Sequence, residues 1–239
     1  MTKTVNRWLP QLTALAVAAA LIMAFASPRE VTLGQSARLL FVHVPSITVA
    51  YLAFTLVLIA SGIYLATKRM KWDHLAVAAA EAGAVFTGLT IVIGMVWAKP
   101  TWGVFWTWSS RLTLTAIMFF VYVGYLALRR AIVDPEVRAR RAAILGMLSI
   151  VQIPIVHFSV IWWRDVHQPP TLATPAGIQM DAPILIALLV AMGAFILLGV
   201  LLISLRYRIA GAEYILETTD PAGGVAGDAV TAPVLTVES

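Results

Sequence analysis

The sequence predicts an all-α membrane protein built as a bundle of six transmembrane helices. Three observations lead to that fold class: the excess of apolar residues, the length of the apolar stretches and the distribution of the basic residues. Hydrophobic residues make up 60% of the 239 positions and charged residues only 12%, whereas soluble domains average about 45–50% and about 25%. The chain is therefore expected to bury most of its surface in lipid.

Six apolar stretches are long enough to cross a bilayer, because a spanning helix needs about 20 such residues at about 1.5 Å of rise each. The stretches are Leu9–Ser27, Leu39–Thr67, Leu75–Trp97, Leu112–Leu128, Ala142–Trp163 and Ala182–Leu205. Residues 1–217 are expected to form one membrane domain. Residues 218–239 are rich in Gly, Pro, Ala and Thr and lack helical periodicity, so a disordered cytoplasmic tail is expected there.

The basic residues predict the orientation of the helices. If the six stretches cross the membrane in turn, the N-terminus, every second connection and the segment after the last stretch lie on one side. Twelve of the 17 Lys and Arg residues fall on that side, and five fall on the other. The positive-inside rule therefore places both termini in the cytoplasm. The expected outer connections are Pro28–Arg38, Ala98–Arg111 and Arg164–Asp181.

The first apolar stretch has an alternative interpretation as a cleaved secretory signal. Lys3 and Arg7 precede an apolar run that ends in Ala24-Phe25-Ala26, which resembles a cleavage site. The run is somewhat long for a signal and Pro28 follows closely, which favours a retained helix. The orientation of the other five helices is the same under either interpretation.

Composition also excludes several function classes. The chain has no cysteine, which excludes disulfides and a thiolate metal site. The formal net charge of +5 does not indicate nucleic-acid binding, because the basic residues lie in short clusters beside apolar runs, as orientation signals do. The sequence contains no phosphate-binding glycine-rich loop and no Ser/His/Asp constellation.

The most distinctive segment is Trp97–Thr113, which holds four of the chain's eight tryptophans and the basic residue Arg111. The four are Trp97, Trp102, Trp106 and Trp108. An aromatic belt is one explanation, because Trp and Tyr favour any membrane–water interface. The density of rigid rings, with a basic residue among them, favours a platform for a large, flat, apolar ligand.

The predicted topology sorts the four histidines. His43 and His167 lie far apart in sequence, yet both fall at the outer side of the membrane, one on each side of the tryptophan-rich segment in the chain. His74 falls at the cytoplasmic end of the third span. His157 falls inside the fifth span, about 15 Å below His167 if the connecting segment is helical.

Two imidazoles beside a tryptophan platform suit an iron porphyrin. Neutral imidazole is an ordinary axial ligand of haem iron, and indole faces can lie against the porphyrin ring. Arg111, Lys99 or Arg164 is suited to pair with the two propionates. The alternative for each histidine taken alone is a helix-end or solvated residue, but the combination with the tryptophans favours ligation by His43 and His167.

These residues resemble a known family. The stretch GAVFTGLTIVIGMVWAKPTWGVFWTWSSRLT is similar to the tryptophan-rich signature of the haem-handling protein family, and specifically to its CcmC members in cytochrome c maturation. The family pattern is a Gly-Ala-x-Phe-Thr helix, a Trp-x-(Lys/Arg)-Pro-x-Trp-Gly turn and a Trp-x-Trp-Asp-x-Arg-Leu-Thr close. The matching positions are Gly83, Ala84, Phe86, Thr87, Trp97, Lys99, Pro100, Trp102, Gly103, Trp106, Trp108, Arg111, Leu112 and Thr113.

The same resemblance extends to the two outer histidines. His43, in HVP, matches the family's first haem-ligand histidine, and His167, in WWRDVHQPPT, matches the second. One position departs from the pattern. Ser109 stands where the family carries an acidic residue, and its hydroxyl brings no charge to orient the loop or to hold Arg111.

The resemblance implies a haem-delivery protein of the bacterial cytoplasmic (inner) membrane. Haem b is the expected transient cargo, held at the outer or periplasmic face and presented to a membrane-anchored haem chaperone. ABC transporter subunits and a small single-span membrane subunit are the expected partners, together with the lipid bilayer. Since the chain lacks a nucleotide-binding motif, ATP hydrolysis would belong to a partner, and the chain itself is not expected to be an enzyme.

Two other function classes remain as alternatives. An electron-transfer cytochrome b-like subunit would hold haem between facing histidines inside the bilayer, but only His157 lies deep in a span. A transporter or channel for a small solute would need polar or broken helices near the midplane. The centres of the predicted spans are almost uniformly apolar, which counts against that class.

Overall fold

A computed structural model of the chain describes residues 2–164, 166–167, 177–178 and 180–219. In these residues the chain forms seven α-helices and a short 3₁₀ helix. The 3₁₀ helix is Gln35–Leu39, and the α-helices are α1 (Thr2–Ala26), α2 (Leu40–Thr67), α3 (Met70–Trp102), α4 (Ser110–Ala131), α5 (Pro135–Ser149), α6 (Gln152–Trp163) and α7 (Ala182–Thr218). Six helical segments are long and apolar enough to span a membrane, which confirms the predicted fold class. The expected tail, beyond Thr219, lies outside the described residues, as does most of the third outer connection.

The fifth span consists of two helices rather than the single one that was expected. Helices α5 and α6 together form the apolar segment Pro135–Trp163, and a turn at Ile150 and Val151 separates them. Pro154 explains the break, because it has no N–H to donate to the carbonyl of Ile150. The side chain of Gln152 satisfies a neighbouring carbonyl instead, since its Nε2 donates to Ser149 O at 3.2 Å.

Helix α3 continues five residues beyond the predicted end of its apolar stretch and stops at Trp102. Gly103 ends it in the left-handed region at φ 80°, which only glycine adopts at little cost. Its N–H donates to Lys99 O at 3.0 Å, and this bond satisfies one of the last carbonyls of the helix. The tryptophan-rich segment is therefore helical up to Trp102. Residues 103–109 form a loop, and the rest of the segment belongs to α4.

The first outer connection leads directly into α2. Glu30 organises its turn, because its carboxylate accepts hydrogen bonds from the backbone N–H groups of Leu33 and Thr32. These bonds stabilise the charged form and hold the pKa of Glu30 below its ordinary value. The 3₁₀ helix that follows packs against α2 and α3 and so places the start of α2 beside the end of α3.

Helices α2 and α3 form the centre of the bundle, and α1 packs on α7 at its side. The main core lies between α2, α3, α4 and α5, where the rings of Phe54 and Tyr122 stack with their centres 3.4 Å apart. At the predicted cytoplasmic end, ion pairs join the helices. Arg206 Nε on α7 donates to Glu81 on α3 at 2.6 Å, so this ionisable group inside the third span has a partner on a neighbouring helix.

Candidate functional site

Four helix ends meet at the end of the bundle that the sequence predicts to face outward. Helices α2 and α4 begin there, and α3 and α6 end there. His43 lies in the first turn of α2, and His167 lies on the connection that follows α6. The centres of the two imidazole rings are 6.4 Å apart, and their planes are inclined by 28°. The structure thus brings together two histidines that are 124 positions apart in the sequence.

The separation of the two rings suits one metal atom between them. A bond between a metal and an imidazole nitrogen is about 2.0–2.1 Å long, and the nitrogen lies roughly 1.1 Å from its ring centre, so two axial imidazoles have centres about 6 Å apart. The observed 6.4 Å agrees with that spacing.

Two of the four signature tryptophans contact the histidines. The indole of Trp97 lies edge-on to His43, with ring centres 5.8 Å apart. The indole of Trp102 lies edge-on to His167 at 6.2 Å. Both tryptophans belong to the last turns of α3. Trp97 lies at the predicted end of that helix, and the extension beyond it is what puts Trp102 against His167.

The other two signature tryptophans lie on the loop after Gly103 and contact each other. Trp106 and Trp108 meet edge to face, with ring centres 5.8 Å apart. Trp108 is 83% exposed and lines an open groove of about 520 Å³ with Trp163, Arg164 and Val166. The predicted platform is thus divided into a half-buried pair against the histidines and a second pair on the loop, of which only Trp108 is exposed and lines the groove.

Arg111 lies in the first turn of α4 and bonds to α6 and to the connection that follows it. Its Nη1 is 3.3 Å from His167 Nδ1, and its Nη2 donates to the backbone carbonyl of His157 at 2.6 Å. The sequence predicted Arg111 as a partner for a carboxylate of the ligand. The structure shows that its guanidinium already contacts one of the two histidines.

Several buried polar atoms at this end of the bundle have no hydrogen-bond partner. They are His43 Nδ1, Trp97 Nε1, Trp106 Nε1, Thr107 Oγ1 and Ser109 Oγ. Folded proteins leave few buried polar groups unpaired. Two of these atoms belong to rings that contact each other, His43 and Trp97, and the other three lie on the loop that precedes α4.

The remaining outer residues have more local roles. Lys99 Nζ donates to Gly103 O at 2.8 Å and lies 5.4 Å from the centre of the Phe105 ring, so it stabilises the turn that ends α3. Ser109 is the N-cap residue of α4, yet its side chain makes no capping bond. An acidic residue at this position would be well placed to cap the helix. Helix capping is therefore a physical role for the acidic residue of the family pattern.

Gly94 lies in the site, although it was not predicted there from the sequence. A Cβ built on Gly94 would lie 2.9 Å from His43 Cε1 and 3.4 Å from His43 Nδ1. Because Gly94 has no side chain, the imidazole of His43 can lie close against α3. The spacing of Gly94 three residues before Trp97, which contacts the same ring, was the only signal in the sequence.

Replacing Gly94 with alanine is expected to displace the ring of His43 and to weaken haem binding about tenfold, within the range seen when contacts that orient a metal ligand are lost. Haem titration followed by visible absorption measures the effect. Gly124→Ala on α4 is the matched control, because a Cβ there meets nothing within 4 Å. Equal affinities for the two variants would show that Gly94 does not position His43.

The histidines outside this site lie elsewhere. His74 is at the opposite end of the bundle, half-buried against Tyr214 of α7, with ring centres 5.3 Å apart. The side chain of His157 is exposed and lies edge-on to Phe158, with ring centres 5.1 Å apart. Neither belongs to the pair formed by His43 and His167.

Comparison with known proteins identifies the family. The family model for heme exporter protein C, CcmC, matches residues 1–218. The heme exporter protein C of Bradyrhizobium diazoefficiens is 37% identical over 202 residues, which cover 84% of this chain and 77% of that protein. The heme exporter protein C of Haemophilus influenzae is 37% identical over 188 residues, 78% of this chain and 76% of that protein.

A mitochondrial relative has the same extent of similarity. The ccmC-like mitochondrial protein of cytochrome c biosynthesis from Marchantia polymorpha is 35% identical over 207 residues, which cover 87% of this chain and 82% of that protein. The matched region includes the six spans and both outer histidines. Together with the tryptophan-rich signature and the fold, these matches show that the chain belongs to the CcmC, or heme exporter protein C, family.

Proposed function

We propose that this chain binds haem at the outer face of the bacterial cytoplasmic membrane and delivers it to a membrane-anchored haem chaperone during cytochrome c maturation. His43 and His167 are the axial ligands of the iron. The observation that carries the proposal is the separation of their ring centres, 6.4 Å, at the point where four helix ends meet. Relatives named heme exporter protein C support the broader role in haem handling.

The cargo is haem b, held without a covalent bond to this chain. The sequence has no cysteine, so haem cannot form thioether bonds to it, and non-covalent binding suits a molecule that must be passed on. Iron in a porphyrin accepts two neutral imidazoles as axial ligands. The bound haem therefore presents its edges, rather than its faces, to other molecules.

Two sets of tryptophans give the porphyrin an apolar environment with one accessible side. Trp97 and Trp102 pack against the two imidazoles and cover apolar area close to the iron. Trp108 is mostly exposed and offers a face to a ring edge or to a docking protein. Arg111, Lys99 and Arg164 are the cations available for the two propionates, and arginine is the better geometric match for a carboxylate.

Delivery also requires partner proteins. ABC transporter subunits and a small single-span membrane subunit are the proposed companions of this chain in its complex. Since the sequence contains no nucleotide-binding motif, a partner hydrolyses ATP. The chaperone receives haem from the outer side, where the groove beside Trp108 is open.

An electron-transfer cytochrome b-like function is less well supported. Such a subunit needs facing histidines within the bilayer. Of the four histidines, only His157 lies in the middle part of the fifth span, and its exposed ring contacts Phe158 and Tyr51. A pair at an outer helix end suits binding and release better than electron transfer across a membrane.

The test is purification of the protein in detergent without added haem. The expected result is a visible spectrum typical of low-spin iron with two histidine ligands, and complete extraction of the haem by acidified acetone. Adding the soluble domain of the chaperone with reductant should then move haem from this chain to the chaperone. A protein that carries no haem and takes up none on titration would contradict the proposal.

A further inference from the structure

The contact between Arg111 and His167 restricts the chemistry of that histidine. A guanidinium has five N–H donors and no acceptor. At 3.3 Å from Arg111 Nη1, His167 Nδ1 can therefore only be the acceptor of this hydrogen bond. The second bond, from Nη2 to the carbonyl of His157 at 2.6 Å, anchors the guanidinium to α6 and keeps it beside the ring.

A neutral imidazole has one nitrogen with a free lone pair and one that carries a proton. When Nδ1 accepts a hydrogen bond from Arg111, its lone pair is occupied and the proton is on Nε2. A metal ligand needs an unprotonated nitrogen with a free lone pair. The single lone pair of His167 can therefore serve Arg111 or the haem iron, but not both at once.

His43 lies in a different environment. It belongs to the first turn of α2 and is held against α3 at Gly94. Its Nδ1 is buried, and the ring lies close enough to Arg111 to feel its charge, but the hydrogen bond that Arg111 makes to an imidazole goes to His167. The two ligands are thus unequal: His43 is built into two central helices, whereas His167 lies on a connection and is held by a side chain from α4.

We propose that Arg111 is a positioning residue that competes with the haem iron for His167. In the haem-free protein Arg111 holds His167 near its ligating position. Haem binding breaks this hydrogen bond, and its reformation favours dissociation of the iron from His167 while His43 keeps its bond. This inference rests on the proposed ligation by His43 and His167, and it makes His167 the ligand that is exchanged during delivery.

The competition predicts that removing Arg111 tightens binding of a haem that lacks free carboxylates. Haem dimethyl ester is the probe, because its esterified propionates cannot pair with the guanidinium and its affinity reports on the iron ligands. Arg111→Met is expected to bind the ester about tenfold more tightly than the unaltered protein, since a hydrogen bond from a charged donor contributes about that factor. Arg29→Met removes the same charge from an exposed position on the connection before α2, outside the site, and is expected to leave the affinity unchanged.

A second readout needs no haem. In the haem-free protein with ¹⁵N-labelled histidine, the Nδ1 resonance of His167 is expected to shift in Arg111→Met and to stay in place in Arg29→Met. Because Arg111→Met also removes the bond to the His157 carbonyl, its melting temperature is compared with that of the unaltered protein. If it does not fold, Arg111→Lys replaces it, and a change in the same direction is expected, since lysine lacks the planar fork that reaches both partners.

The results separate this inference from the proposed function. An unchanged Nδ1 resonance, or an ester affinity that is unchanged or lower in Arg111→Met, would overturn the competition between Arg111 and iron. The proposed ligation instead fails if His167→Ala retains the low-spin spectrum of the unaltered protein. The nuclear magnetic resonance measurement is made without haem, so the contact between Arg111 and His167 is tested even if ligation is not.

Discussion

Replacing either His43 or His167 with alanine is expected to abolish the low-spin spectrum of bound haem and to lower haem affinity by more than about 100-fold. Each imidazole supplies one of the two axial bonds, and the loss of a residue that merely orients a metal ligand already costs about 10- to 100-fold. Visible absorption of the purified variants, followed by haem titration, measures both effects. Imidazole added to the solution should restore part of the low-spin spectrum, because it can occupy the space left by the side chain.

The control for this experiment is His157→Ala. His157 lies in the middle of α6; its backbone carbonyl accepts the hydrogen bond from Arg111, and an alanine keeps that carbonyl. Its spectrum and affinity are expected to equal those of the unaltered protein. If His43→Ala or His167→Ala behaves like this control, that residue is not an axial ligand.

The largest effect on stability is expected from Arg129→Met at the opposite end of the bundle. Arg129 on α4 and Asp73 on α3 form a two-point ion pair with distances of 2.5 and 2.7 Å, and they are only 9% and 3% exposed. Removing the arginine leaves a buried carboxylate without its partner, which costs about 3–5 kcal/mol. For a chain of this size a melting temperature lower by roughly 10 °C is expected in detergent.

Two further variants test the reason for that loss. Arg138→Met breaks the more exposed pair between Arg138 and Glu217, where the glutamate side chain is 43% exposed, and such pairs contribute about 0–1 kcal/mol. The double variant Asp73→Leu with Arg129→Met is expected to recover much of the stability, because no unpaired charge remains. Similar small shifts for Arg129→Met and Arg138→Met would show that burial of the Asp73 pair contributes little.

The sequence predicted the number of spans and the fold class correctly because a bilayer requires about 20 apolar residues in each crossing helix. It was less accurate at the ends of the helices. Pro154 divides the fifth span, whereas Pro100 lies inside α3, which continues to Trp102. A proline in the last turn of a helix removes a single backbone bond, while separate bonds between Gly103 and Lys99 stabilise the end of α3. The effect of such local bonds is hard to read from hydropathy.

The candidate site was also partly predictable. Alternation of the spans puts the start of α2, the end of α3 and the end of α6 on one side of the membrane, so His43, Trp97 and His167 were expected at the same face. The division of the tryptophans into one pair against the histidines and a second pair on the loop was not expected. It depends on where α3 ends, since Trp97 and Trp102 are fixed by helical geometry and Trp106 and Trp108 follow the loop.

The sequence by itself determined the membrane class, the number of spans, the face on which the two histidines meet and, through its signature residues, the family. Only the tertiary structure decided that Arg111 contacts His167, that Gly94 seats His43 and that Asp73 pairs with Arg129. The reason is physical. Helices surrounded by lipid are apolar on every side, so periodicity does not reveal which side meets which neighbour. These contacts depend on the rotation and depth of each helix, which the packing of the whole bundle sets.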